Sequence, residues 1–138
     1  MFVSPAGHRV TCPTDSVEAE TGGNATFQCR LVPPLNLLHH TIDWKREDSG
    51  ELVHVYRHKQ DDSDSQAERY RGRTTFDLEE LDSGLLRLRI SPVQLSDSGS
   101  YRCCVPQLHT HCSINLIVGK LTSAWLWFVF STRTWQSC

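Results

Sequence analysis

Three residues far apart in the chain, Cys29, Trp44 and Cys103, each fall on the apolar parity of a short alternating segment. Ala25, Phe27 and Cys29 share one face of a strand, while Asn24, Thr26 and Gln28 take the other. Ile42 and Trp44 alternate with Thr41, Asp43 and Lys45, and Tyr101, Cys103 and Val105 alternate with Ser100, Arg102 and Cys104. The same period runs through Leu86, Leu88 and Ile90, with Arg87 and Arg89 between them, and through Ile114, Leu116 and Val118. A period of two is how antiparallel strands pack one face and wet the other. From Val10 to Val118 these strands are broken by Gly, Pro, Asp, Asn and Ser clusters. The pattern predicts an all-β, antiparallel two-sheet sandwich with Greek-key topology. No long segment has helical periodicity.

Composition narrows the function. The 138 residues suit one domain with one core. Fourteen basic against 16 acidic residues, a net charge of -2, give no footprint for nucleic acid and no polybasic membrane patch. Six cysteines without a CxxC point to an oxidising compartment. The sequon Asn24-Ala25-Thr26 points the same way, with Asn24 the expected glycosylation site. Met1 to Arg9 has no apolar leader, and the apolar run Ala124 to Phe130 is shorter than the roughly 20 residues of a membrane span. The expected division is an N-terminal extension over 1–9, the sandwich over 10–118 and a hydrophobic tail outside it over 119–138. A membrane is expected only through an anchor not seen in this sequence.

The spacing Cys29, Trp44, Cys103 resembles strands B, C and F of an immunoglobulin domain. That resemblance implies a Cys29–Cys103 bridge between the sheets with Trp44 packed on it, closing a loop of about 74 residues and contributing roughly 4 kcal/mol. In Asp97-Ser98-Gly99-Ser100-Tyr101-Arg102-Cys103, Tyr101 is placed for a tyrosine corner, and Asp97 is expected to pair with Arg73. The stretch from Trp44 to Arg73 has room for two extra strands, which makes the domain V-type rather than constant-type.

The likeness goes further. Val10-Thr11-Cys12-Pro13, then Gly22 to Cys29, then Leu52-Val53-His54-Val55-Tyr56 with Gln66 and Tyr70-Arg71-Gly72-Arg73-Thr74, resembles the butyrophilin group. That group includes myelin-oligodendrocyte glycoprotein and the T-cell costimulatory and coinhibitory ligands. The resemblance implies a cell-surface, extracellular protein that modulates lymphocytes by binding a receptor on another cell through its GFCC′ face. It also admits homophilic or heterophilic adhesion. An antigen-receptor variable domain is less favoured, because Thr110 to Val118 lacks the glycines of that family's strand G. The expected contact residues are Asp43, Lys45, His54, Tyr56 and Arg102, with Asn115 and Ile117 beside them and Gln107, Leu108 and His109 in the F–G loop.

The other cysteines leave alternatives open. Cys104 and Cys112 are the favoured second pair, with Cys12 competing for Cys112 and Cys138 left over. His39, His40, His109 and His111 lie in neighbouring loops, but their spacing fits no metal site, so neither metal nor cofactor is expected. No nucleophile–base set, carboxylate pair or phosphate loop suggests an enzyme.

Overall fold

A computed structural model describes residues 7–119. Among them lie ten strands: β1 (Arg9–Thr11), β2 (Ser16–Glu20), β3 (Ala25–Val32), β4 (Ile42–Arg46), β5 (Leu52–Arg57), β6 (Gln60–Asp61), β7 (Thr74–Asp77), β8 (Leu85–Ile90), β9 (Gly99–Val105) and β10 (Thr110–Gly119). They form a four-stranded back sheet, β1-β3-β8-β7, and a six-stranded front sheet, β2-β10-β9-β4-β5-β6. The described strands thus run one residue past each expected sandwich boundary; the apolar run 124–130 lies outside the described residues.

The first strand changes sheets. β1 pairs antiparallel with β3 in the back sheet, whereas β2 pairs parallel with β10 in the front sheet. Pro13, which has no N–H to give a ladder, sits in the crossover between them. On the far side, β5 and β6 extend the front sheet beyond β4. These are the two added strands that the long stretch before Arg73 foretold.

Between the sheets Trp44 is fully buried, with Phe27 at 6.1 Å from it and at 4.9 Å from Tyr101. Two residues along β9 from Cys103, the core becomes polar. The Tyr101 hydroxyl donates to the Asp97 carbonyl, and Arg46 Nη1 donates to that carbonyl at 3.0 Å and to the Tyr101 hydroxyl at 3.2 Å. Arg46 Nη2 reaches the Ser98 carbonyl at 3.0 Å and Asp48 Oδ2 at 2.8 Å. Arg73 clasps the fully buried Asp97 at 2.8 and 3.0 Å, and Asp97 Oδ2 also accepts the Gln94 N–H at 2.7 Å. Gly99, at φ +145°, makes room for this cluster, since a Cβ there would lie 2.7 Å from Arg46 Nη2.

Candidate recognition face and the sulfur layer behind it

Cross-strand pairing sets which side chains reach the outer front face. His111 (β10), Cys104 (β9) and Asp43 (β4) form one rung, and Ser113, Arg102 and Lys45 the next. Paired residues share a face, so all six are opposite in parity to buried Trp44 and Cys103. Below them Glu47 ties three strands together. Its carboxylate accepts from Ser100 Oγ at 2.5 Å, Arg102 Nη2 at 2.9 Å and Ser113 Oγ at 2.9 Å. Burial alone would raise the Glu47 carboxyl, but these donors hold it below its ordinary value.

The rest of the face is graded by burial. Burial raises the Asp43 carboxyl, with Lys45 and Arg57 partly offsetting it, and pushes the Cys104 thiol up to about 11. His111 is lowered by burial and by Arg102. At the loop end, Gln107 Oε1 accepts the Thr41 N–H at 2.8 Å, joining the two loops that bound the face. His109 is exposed beside it, in a left-handed conformation at φ 54°.

Three expected contact residues face the other way. Tyr56 pairs with Ile42 and His54 with Trp44, so both point between the sheets and are 1% and 6% exposed. The Tyr56 hydroxyl donates to the Leu38 carbonyl at 2.7 Å, and its ring lies 5.7 Å from Phe76. Leu108 folds into the core from the turn at Pro106–Leu108. Ile117, expected to be exposed, is buried. For Tyr56 and His54 the reason is cross-strand register, which sets them opposite inward Ile42 and Trp44; the bulge at Trp44/Lys45 comes after those pairs.

The buried His54 had no marker in the sequence. Its Nδ1 is 2.7 Å from Thr74 Oγ1 and its Nε2 is 3.0 Å from Asp61 Oδ1. Gln66 Nε2 donates to Thr74 Oγ1 at 2.6 Å and to the Val53 carbonyl at 2.7 Å. The chain Gln66, Thr74, His54, Asp61 therefore fastens β6 and β5 to β7.

Sulfur chemistry departs from expectation as well. The bond is Cys12–Cys112, with Cα atoms 5.9 Å apart, and the favoured Cys104–Cys112 pair is not formed. Cys112 pairs with Cys103 and faces inward, whereas Cys104 pairs with His111 and faces outward, so a bridge between them would have to pass through the sheet. Cys12, at the crossover between sheets, reaches Cys112 directly. Cys29 and Cys103 are buried thiols rather than the expected bridge. They interact with each other, and burial together with Cys29 pushes the Cys103 thiol up. The sulfur of Cys29 lies 3.6 Å from that of Cys12 and 3.7 Å from that of Cys112. Near-equal distances place it broadside to the existing bond, not in line for exchange. Cys12, Cys29 and Cys112 gather closely enough to suggest a metal cluster, but two of the three sulfurs are joined to each other.

Residues 13–116 match the family model of the immunoglobulin V-set domain. The chain belongs to that family. V-set domains of this group are recognition modules, not enzymes. It is 35% identical over 103 residues to mouse "Selection and upkeep of intraepithelial T-cells protein 7", covering 75% of this chain and 26% of that protein. Marmoset (Callithrix jacchus) myelin-oligodendrocyte glycoprotein is 33% identical over 95 residues, covering 69% of this chain and 39% of the relative. The crystal structure of bovine butyrophilin superposes with a TM-score of 0.76 at 28% identity, covering 84% of this chain and 56% of that one. The chain thus spans well under half the length of these two curated relatives. No described helix is long and apolar enough to cross a membrane.

Proposed function

We propose that this V-set domain is the recognition module of a cell-surface protein that binds a protein receptor on a lymphocyte through the outer face of β10, β9, β4 and β5. The observation that carries this reading is the Glu47 cluster. One carboxylate, 12% exposed, fixes Arg102 and Ser100 of β9 and Ser113 of β10 in a single arrangement. A guanidinium held in place loses less side-chain freedom on binding, and arginine is a frequent interface anchor. With Tyr56, His54 and Leu108 removed to the core, the contact set becomes Asp43, Lys45, Arg102, Gln107 and His109. Relatives whose names refer to intraepithelial T cells and to T-cell activation support a lymphocyte as the partner cell. Asn24 is exposed just before β3 in the back sheet, so a glycan there leaves the front face clear.

The test is a binding screen of the domain against lymphocyte surface receptors, repeated with Arg102→Ala and Lys45→Ala. Loss of binding with Arg102→Ala is the expected result. Unchanged affinity in both variants would remove the front face from the reading. Self-aggregation of domain-coated beads without lymphocyte binding would replace it with adhesion.

A further inference from the structure

Seven of the ten described arginines have a carboxylate partner: Arg46, Arg57, Arg69, Arg71, Arg73, Arg87 and Arg102. Arg9, Arg30 and Arg89 have none among the described residues. The chain has more acidic than basic residues, so this is not for want of carboxylates. All three stand on one surface, the outer face of the back sheet, opposite the proposed receptor face. Arg30 lies between buried Cys29 and Leu31, Arg89 between buried Leu88 and Ile90, and Arg9 beside buried Val10, and each arginine is exposed. Arg87 shares the face but is neutralised by Asp77 at 3.0 Å and Glu80 at 3.3 Å.

Register gives the spacing. Arg9 pairs with Val32, two residues from Arg30, and Arg89 pairs with Thr26, four residues from Arg30 on the other side. With a rise of about 3.4 Å per residue and about 4.8 Å between strands, the Cα steps are roughly 8 and 14 Å along one diagonal. That diagonal is too long for one phosphate and lacks the clustering a phosphopeptide needs. It suits an extended chain that carries anions repeatedly. The neutral hydroxyls and amide of Thr11, Thr26, Gln28 and Thr75 share this face.

We propose that the outer face of β1, β3 and β8 binds a sulfated polysaccharide through Arg9, Arg30 and Arg89. Guanidinium forks match sulfate oxygens in paired hydrogen bonds. A lipid surface fits less well. Anionic headgroups concentrate on the cytoplasmic leaflet, whereas a disulfide-bonded domain faces outward.

The experiment measures binding to immobilised heparin at physiological and raised salt, using the Asn24→Gln background so that no glycan shades the Arg89 rung. The wild-type face should bind at physiological salt and weaken steeply as salt rises. Arg9→Ala/Arg30→Ala/Arg89→Ala should lose at least tenfold in affinity with unchanged circular dichroism. Arg71→Ala, also exposed but paired with Glu68, should keep wild-type affinity. Completely desulfated heparin should not bind. The proposal is overturned if the wild type is not retained, if the triple variant binds like the wild type, or if Arg71→Ala weakens binding as much as the triple variant. Retention on desulfated heparin, or equal binding to phosphatidylserine vesicles, would overturn it as well.

Discussion

Two levels of the sandwich interior, two residues apart along β9, join the sheets by opposite chemistry. At Cys103 the layer is sulfur and indole: the Cys12–Cys112 bond, the thiols of Cys29 and Cys103, and Trp44. At Tyr101 it is a polar network of Arg46, Arg73, Asp97, Tyr70 and Tyr101, almost all of it out of water. The covalent layer acts chiefly on the unfolded chain, whose loop it closes. The polar layer acts on the folded chain, where each buried donor and acceptor must find its partner or destabilise the whole. One level should therefore answer to reductant, and the other to truncation of a single side chain.

The largest expected effect sharpens that contrast. Replacing Cys12 and Cys112 together by serine opens a cross-link of sequence separation 100, which the chain-entropy relation puts at about 5 kcal/mol. Urea unfolding of the variant should show that loss, and an unchanged midpoint would mean the sulfur layer does not staple the sheets. Joining the Cys29 and Cys103 thiols in a second bridge should add stability, read as a higher midpoint in the oxidised protein.

In the polar layer, Arg73→Met strands the Asp97 carboxylate, and breaking a buried pair from one side costs about 3–5 kcal/mol. The double variant Arg73→Met/Asp97→Asn should recover part of it; if the double variant is worse than the single, the pair is not the unit that matters. Tyr101→Phe removes only the hydroxyl that meets the Asp97 carbonyl, Arg46 and Tyr70, and should cost about 1–2 kcal/mol by thermal denaturation.

The smallest effect lies at the surface. Because the folded state lowers the Glu47 carboxyl, the ionised form is the stabilising one. Its contribution is complete above the ordinary glutamate value of 4.5 and is lost as the pH falls through the lower folded value. Glu47→Gln should flatten stability against pH in that acid range, lower neutral stability by the same small amount and converge with wild type at acid pH. An identical acid limb in wild type and variant would remove Glu47 as its source.

Much of the interior was legible because period-two alternation has only two outcomes per strand. Cys29, Trp44, Tyr101 and Cys103 sit on the inward parity read from their own segments. The segment Leu52-Val53-His54-Val55-Tyr56-Arg57 was harder, because valines occupy one parity and a histidine and a tyrosine the other. Either face could be apolar enough to bury. Both are buried in the fold; the pairing of β5 with β4 turns the tyrosine and histidine between the sheets, and partners for their polar atoms, Leu38, Thr74 and Asp61, come from other segments.

By itself the sequence determined the all-β class, the V-type strand count and the inward cysteine–tryptophan layer, since each follows from local alternation and spacing. Only the tertiary structure decided which sulfurs join, that β5 is buried on both faces with Tyr56 and His54 turned between the sheets, and that three arginines without carboxylates gather on one sheet. Those outcomes depend on register between strands and on a crossover that carries Cys12 to Cys112. Such geometry arises from pairing residues up to 100 positions apart, which no local pattern encodes.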